Sequence, residues 1–348
     1  MSADAPVEPA RLAERRPTQK LVASAAGVSQ AAVSIVLNNP DCPALRPGTR
    51  ARIQKVAREL GYVPNRPAQM LRAAQSQTLA CVIPDITNPF YPGLVRGLQS
   101  IAGPAGYDVL IYDTYGVEER ERRALEWLLH GRADGVVGTF FHLRVPDLAE
   151  LLRHRIAVAR LENREKPLGD LPLDNIFIDN AAAAAAMTRL LVERGHRHIA
   201  LIAGELGPGG QRALGYMRVM REAGLDPDIV TDREFTEAGG KRCMQRLLRR
   251  RRGKVSAVFG ASDLLAIGAM AAIREAGLAI PSDVAVAGFD DIPAAKLLMP
   301  ALTTVRQPEQ EIGALAAEIL IGRLRPNGLQ APGGNHRLPF EIVLRASV

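Results

Sequence analysis

The chain has 348 residues, of which 47% are hydrophobic, enough to form two or three folded domains with apolar cores. The apolar residues come in short runs interrupted by charges, so neither a membrane-spanning segment nor an amino-terminal secretory signal is predicted, and we expect a cytoplasmic protein. The cysteines, Cys42, Cys81 and Cys243, are too far apart to indicate a disulfide framework or a zinc site, and we expect no metal and no cofactor.

Positive charge is concentrated near the amino terminus. Residues 1–75 contain 11 Lys/Arg against 5 Asp/Glu, whereas the rest of the chain contains 33 against 32. This asymmetry indicates a polyanionic partner for the basic segment, because each neutralised phosphate releases condensed counterions. Charge alone does not distinguish DNA from RNA or a membrane surface.

Two short helices that cross steeply are predicted from Thr18 onward. Ala23 is small where the helices would cross, and Gly27 lies in the turn between them. Ser29 can cap the second helix, whose apolar face includes Val33. Many helical hairpins share one such feature, but the combination is typical of a helix-turn-helix.

A third helix is predicted from the spacing of apolar residues. Ile53, Val56, Ala57 and Leu60 recur at i, i+3, i+4 and i+7, and Gly61 provides the stop. Three helices can close a small core, so the second helix can protrude into a DNA groove.

The solvated positions of the second helix are the candidate base readers. Gln30 can pair with adenine through two hydrogen bonds, and the Ala31 methyl group can contact thymine, with Ser34 one turn further on. The alternative interpretation is an ordinary solvated helix face.

A short polar helix is predicted after Pro64. Such a helix is too short to be stable alone, so we expect it to order only when it is held, as a hinge between two domains. Leu71 would be exposed on this helix; exposed leucines are common, but this one could act as an apolar wedge in the minor groove.

Beyond residue 78 strand-like and helix-like segments alternate, which predicts an α/β fold with doubly wound parallel sheets. The helical patterns include residues 90–102 and 181–194. The strand candidates are the apolar runs TLACVIPD, YDVLIYDT, DGVVGTF, IAVARLE, HIALIAG, SAVFGAS and VAVAGFDD.

Several of these strands end in polar residues followed by a helix. Examples are Asp85, Asn88, Asp179, Ser262 and Asp290. Ligands of open parallel sheets bind in the crevice at the carboxyl ends of the strands, which makes these residues candidates for a binding site. Helix capping explains Asn88 and Ser262 equally well.

The order of motifs resembles the lactose-repressor (LacI/GalR) family. The headpiece carries Thr-x-x-x-Val-Ala-x-x-Ala-Gly-Val-Ser and Leu-Gly-Tyr-x-Pro-Asn, and the body carries PDITNPFY, GHRHIALIAG, SDLLAIGAM, GFDDI and LTTVRQP. The resemblance implies a disordered tail at 1–16, a three-helix headpiece at 17–63, a hinge helix and linker at 64–77, and a two-lobed, periplasmic-binding-protein-like core at 78–348. The chain would cross between the lobes near residues 180, 304 and 325.

The resemblance also implies which residues contact DNA. These are Thr18, Lys20, Ser29, Gln30, Ala31, Ser34, Asn38, Tyr62, Asn65, Ala68 and Leu71. The chain departs from the family pattern where Leu21 replaces Asp, Ala32 replaces Thr and Ile35 replaces a polar reader. Loss of an Arg-guanine contact is worth about 1 to 3 kcal/mol of discrimination, so we expect an atypical operator.

The same resemblance implies an effector site between the lobes, formed by Tyr91, Glu162, Arg212, Ser262 and Asp290. Arg212 and Asp290 can jointly bind vicinal hydroxyls or polar ring edges. Ser262 stands where sugar-binding members have Asn, a longer side chain.

The sequence thus predicts a homodimeric repressor that binds a pseudo-palindromic operator in double-stranded DNA. We expect a small molecule, a sugar or sugar derivative, to control this binding. The chain stops after LPFEIVLRASV and leaves no heptad repeat there for a four-stranded bundle, so we expect a dimer rather than a tetramer. The alternative is a solute-binding receptor without a role on DNA. An enzyme is disfavoured, because GxGxxG after the first strand, GxxxxGK[ST] and GxSxG are absent from the sequence.

Overall fold

A computed structural model describes residues 17–38, 43–63, 75–167, 169–205, 207–233, 235–251 and 255–348. The chain divides into two compact units, one up to Gln75 and one from Ser76 to Val348, and each is described by itself. The predicted tail at 1–16 and the predicted hinge helix lie outside the described residues.

The described residues of the first unit form three helices, α1 (Gln19–Ala26), α2 (Gln30–Asn38) and α3 (Pro47–Glu59). The axes of α1 and α2 are bent by 106° relative to each other, which is within the range of a helix-turn-helix. Gly27 makes the turn possible, because it adopts a left-handed conformation with φ of 64° that residues with a Cβ disfavour. The Val28 N–H then closes the end of α1 by donating to the Ala23 carbonyl at 3.0 Å.

The core of this unit is a small apolar cluster to which all three helices contribute, and it confirms the predicted spacing. The buried residues are Val22, Ala23, Ala26, Val33, Val36, Ile53 and Ala57. Each helix has only one apolar stripe, so none of the three can be stable without the other two.

The second unit alternates strands and helices, as the sequence predicts. Its strands are β1 (Thr78–Ile83), β2 (Asp108–Asp113), β3 (Gly135–Gly138), β4 (Ala157–Glu162), β5 (Leu173–Phe177), β6 (Ile199–Gly204), β7 (Asp228–Asp232), β8 (Ala257–Gly260), β9 (Ala285–Asp290), β10 (Thr303–Arg306), β11 (Asn335–Arg337) and β12 (Glu341–Val343). Its helices are α4 (Phe90–Ala102), α5 (Glu118–Trp127, continued by a π-helical turn, Leu128–Arg132), α6 (Val145–Arg153), α7 (Asn180–Glu193), α8 (Gly209–Glu222), α9 (Glu237–Arg251), α10 (Asp263–Glu275) and α11 (Glu309–Leu324), and a short 3-10 helix (Gly328–Gln330) follows α11.

The strands of the described chain form two six-stranded sheets, ordered β2-β1-β3-β4-β5-β11 and β7-β6-β8-β9-β10-β12. All neighbouring strands pair in parallel except β10 and β12, which are antiparallel. Each sheet with its helices is called a lobe below. The central strands are buried along their length, so the predicted doubly wound architecture is confirmed.

The chain passes between the lobes three times. The first passage follows β5, and the second lies between β10 and α11. The third lies between Arg337 and Glu341, and the expected position near Arg325 was wrong. The reason is that α11 packs on α4 of the first lobe, and β11 then pairs with β5 before the chain leaves that lobe.

Among the described residues, no single helix is long and apolar enough to cross a membrane, although the bent pair of α1 and α2 meets the length and composition requirement when taken together.

Candidate functional site

The outer face of α2 carries polar and small residues. Gln30 and Ala31 are exposed and Ser34 is half-buried, while Val33 and Val36 point into the core. The Gln30 side chain is only weakly held, because its amide nitrogen donates a long hydrogen bond of 3.3 Å to Oε1 of Gln19. These side chains can therefore reorient toward a groove.

Two of the departures from the family pattern lie on α1 and α2. Ile35 is 41% exposed and Leu21 is 49% exposed, so both present apolar surface to solvent. An apolar side chain such as that of Ile35 can contact a thymine methyl group, but it cannot form hydrogen bonds with the edge of a guanine.

Other predicted contacts have structural partners. The Thr18 hydroxyl accepts the Leu21 N–H at 3.3 Å, and the Ser29 hydroxyl accepts the Ala32 N–H at 3.2 Å, so both cap helices. Lys20 is exposed, and Tyr62 packs on the edge of the three-helix core. Asn65, Ala68 and Leu71, and the side chain of Asn38, lie outside the described residues.

In the second unit, a cavity of about 690 Å³ lies between the two lobes. Its walls are the segments that follow β1, β2, β3, β4 and β5 of the first lobe and β6, β7, β9 and β10 of the second. This is the crevice at the carboxyl ends of parallel strands where ligands of such folds bind. Tyr91, Glu162, Arg212 and Asp290 of the predicted effector site line it.

Arg212, in the first turn of α8, is the central cation of the cavity and is only 3% exposed. Its Nε donates to Asn180 Oδ1 at 2.7 Å, and its Nη1 donates to the Ala261 carbonyl. The guanidinium carbon lies 3.5 Å from the centre of the Phe289 ring, and Nη2 lies 3.5 Å from Asp290 Oδ1. These contacts fix the plane of the guanidinium group.

Asp290 faces Arg212 from a strained turn at the end of β9. Its φ is 116° and that of Asp291 is 60°, both in the left-handed region that disfavours residues with a side chain. The surroundings determine this geometry: Gln307 Nε2 donates to Asp290 Oδ1 at 2.6 Å, and the Asp263 carboxylate accepts the Ile292 N–H at 2.8 Å. Strain that is held in this way is typical of binding sites.

Burial dominates the electrostatics of this group of residues. It raises the pKa of Asp290 to about 6, although Arg212 and Gln307 oppose the shift, and it lowers the pKa of Arg212 to about 10. Burial also raises the pKa values of Tyr91 and Asp263 well above their ordinary range. At neutral pH this buried group therefore presents to the cavity the Arg212 cation, the Asp290 carboxylate and the neutral Tyr91 phenol.

Glu162 reaches the cavity from the end of β4, where cations of its own lobe neutralise it. Its carboxylate lies 2.5 Å from Lys166 Nζ and 3.4 Å from Arg160 Nη1. Ser262 is fully buried, and its hydroxyl accepts the Leu265 N–H at 3.2 Å as the cap of α10. Among the described residues, the lining of the cavity does not include Ser262.

Aromatic side chains form much of the remaining wall, although only 4% of the chain is aromatic. The aromatic lining residues are Phe90, Tyr91, Tyr115, Phe140, Phe141, Phe177 and Phe235. Of these aromatic residues only Tyr91 is predicted from the sequence. Asn180 and Gln307 are likewise not predicted as partners of Arg212 and Asp290. The signal that could have found two of the aromatic residues is the pair Phe140-Phe141 at the end of the predicted strand DGVVGTF.

This arrangement can bind a small ligand that combines polar groups with a flat apolar face. The guanidinium and the carboxylate can accept and donate to hydroxyls or ring edges, while the rings cover the rest of the ligand. A helix-turn-helix unit on the same chain as such a cavity defines a ligand-binding transcription regulator. The comparisons with known proteins identify its family.

The profile described as "Bacterial regulatory proteins, lacI family" matches residues 18–65, and that of a periplasmic binding protein-like domain matches residues 188–348. The HTH-type transcriptional repressor CytR of Escherichia coli (strain K12) is 33% identical over 343 residues, covering 97% of this chain and 98% of CytR. The ribose operon repressor of the same strain is 35% identical over 322 residues, covering 90% and 94%. The chain belongs to the lacI family, as its motifs predict, and it is a DNA-binding transcription regulator.

Solved structures agree with this assignment. The Lac repressor dimer bound to operator and the anti-inducer ONPF has a TM-score of 0.84 at 25% identity, covering 96% of this chain and 99% of the other. The complex of the transcriptional regulator CelR with cellobiose has a TM-score of 0.69 at 31% identity, covering 96% and 100%. These relatives and neighbours are regulators.

Proposed function

We propose that the chain is a cytoplasmic, homodimeric repressor that binds operator DNA and is not an enzyme. The observation that carries this proposal is the combination, on one chain, of the exposed Gln30 and Ala31 on α2 with the buried pair of Arg212 and Asp290 in the cavity. Two copies of α2 related by a twofold axis would read the two halves of a pseudo-palindromic operator. The hinge helix would pair over the operator centre, with Leu71 in the minor groove.

Exposed apolar residues support the dimer. Leu110 and Ile111 are each 38% exposed on β2, an edge strand of the first sheet, and Leu297 and Met299 are exposed on the second lobe after β9. Apolar surface of this kind on both lobes suits a symmetric interface that runs along the body. Analytical ultracentrifugation of the full chain is expected to give a dimer, and a monomer at micromolar concentration would contradict the proposal.

We propose that the effector is a sugar or a sugar derivative. The solved complexes with cellobiose and with ribose are complexes of other members of the fold, and here the hydroxyls of such a ligand would bridge Arg212 and Asp290. Titration calorimetry against sugars, sugar acids and nucleobases is the direct test. A ligand whose affinity does not fall on substitution of Arg212 would refute this assignment of the site.

Regulation would be a coupling free energy between the cavity and the operator, typically about 1 to 3 kcal/mol. An inducer lowers the affinity for operator DNA and a corepressor raises it. The sign of the change in operator affinity therefore identifies which of the two the ligand is.

A gel-shift titration with the DNA upstream of the chain's own gene tests the function itself. Nanomolar binding that resists nonspecific competitor DNA is expected. Failure to bind this DNA under every ligand condition would favour a solute-binding receptor instead.

A further inference from the structure

Strand β3 begins at a carboxylate that holds the start of the second unit. Asp134 directly precedes β3, and its Oδ1 accepts the Ser76 N–H at 2.6 Å while its Oδ2 accepts the Gln77 N–H at 2.8 Å. Ser76 and Gln77 are the last two residues of the predicted hinge helix and linker. One side chain therefore fixes two consecutive peptide groups at the point where the chain enters the first sheet.

The backbone at this point is held in an unusual conformation. Gln77 has a φ of 52°, which is disfavoured for a residue with a Cβ. Its carbonyl accepts the Asp108 N–H at 2.9 Å, and the Thr78 carbonyl accepts the Asp134 N–H at 2.9 Å. The segment is thus connected to β2 and β3 at once, and a shift of either strand changes its geometry.

The opposite end of β3 leads into the cavity and is held by a second carboxylate. Glu121 on α5 is fully buried and accepts the N–H groups of Phe141, His142 and Leu143 at 2.8, 3.0 and 3.0 Å. This fixes the loop in which Thr139, Phe140 and Phe141 form part of the cavity wall.

Phe141 in this loop contacts the other lobe. Its ring packs against Gly207, where a methyl group would lie 3.0 Å from the ring carbons. Since Gly207 belongs to the second lobe, any change in the angle between the lobes displaces or strains this loop.

We propose that Asp134 is a positioning residue through which the state of the cavity reaches the hinge, with β3 as the connecting element. The inference rests on the proposed function, because it concerns how the cavity affects operator binding. Strand β3 spans only about 13 Å. It is paired on both sides, with β1 and β4, and its Val136 and Val137 are fully buried. A close-packed strand of this kind moves as a unit rather than deforming along its length.

The test is a double-mutant cycle in the full chain. Asp134→Asn keeps the shape of the side chain but replaces one acceptor oxygen by an NH2 group, and Phe141→Leu removes the ring that contacts Gly207. The dissociation constant for the DNA upstream of the chain's own gene is measured for the wild type, both single variants and the double variant. Sites this far apart without shared partners normally combine additively, within about twofold in affinity.

We expect the double variant to deviate by at least about threefold from the product of the single effects. The control pair is Glu119→Gln with Phe141→Leu, because Glu119 is an exposed carboxylate on α5 whose ionic partner is Arg123; this pair should be additive. Additivity of the Asp134 pair would overturn the inference while leaving the proposed function intact. Failure of the wild type to bind the DNA would overturn both.

Hydrogen exchange separates a local effect from misfolding. In the Asp134→Asn variant the amides of Ser76 and Gln77 should exchange about tenfold faster, with β6 of the second lobe unchanged as the internal reference. If β6 also loses protection, the cycle is repeated with Asp134→Glu, which retains the charge but displaces it by one methylene. Unchanged exchange at Ser76 and Gln77 in a folded variant would contradict the role of Asp134.

Discussion

The substitution Asp290→Asn should stabilise the ligand-free protein at neutral pH. Burial raises the pKa of Asp290 from 3.8 to about 6, so ionisation of this carboxyl group costs the folded state about 3 kcal/mol relative to the unfolded chain. Asparagine has nearly the same shape and carries no charge, so the positive φ of 116° should strain it no more than it strains aspartate. The variant therefore removes the cost and keeps the backbone geometry.

The sign of the pH dependence follows from the direction of the shift. Between pH 4 and pH 6 the folded state binds the Asp290 proton more tightly than the unfolded state does, so wild-type stability falls as the pH rises through this window. The asparagine variant lacks this proton. The difference in free energy of unfolding should grow from nearly zero at about pH 3 to about 3 kcal/mol at about pH 7.5.

Urea denaturation followed by circular dichroism at a series of pH values measures this difference, since all other titrating groups are common to both proteins. The same variant should bind the effector about tenfold or more weakly, because it lacks a charged acceptor. A variant less stable than the wild type at pH 7.5, or a difference that does not change with pH, would refute the reasoning.

Further predictions concern the two sites separately. Arg212→Ala should weaken effector binding by at least about tenfold and leave operator affinity nearly intact, whereas Leu71→Ala should do the reverse; equal losses in calorimetry and gel shift for either variant would contradict this division. Effector affinity should fall by about tenfold between pH 7 and pH 5 as Asp290 becomes protonated, and a flat calorimetric profile would exclude its carboxylate as a ligand. Gly27→Ala should destabilise the three-helix unit by about 1 kcal/mol in thermal melts, because alanine must adopt the φ of 64°; an unchanged melting temperature would contradict it.

The sequence predicts those elements whose cause is local. The apolar periodicity of α3 and the near-continuous runs of β1 and β6 are properties of short segments, and both helices and strands occur where these patterns indicate. The short strand β12 and the position of the third passage depend on pairing with distant strands, which no local pattern encodes.

In the binding site too, residues in local motifs are predicted and residues that depend on long-range contacts are not. Arg212 and Asp290 are predicted because they stand in recognisable motifs, and both line the cavity. The roles of Glu121 and Asp134 were not predicted, because each carboxylate accepts hydrogen bonds from backbone groups 20 or more residues away in sequence. Such contacts become visible only once the topology has brought β1, β3 and α5 together.

The most direct measurement of the central claim compares the operator affinity of the intact chain with that of a chain starting at Ser76, by fluorescence anisotropy at a fixed salt concentration. The three-helix unit supplies the groove-reading helix and the excess of basic residues, so the shortened chain should lose specific binding entirely while it still binds the effector. If the shortened chain bound the same DNA as tightly as the intact one, DNA recognition would have to reside in the body.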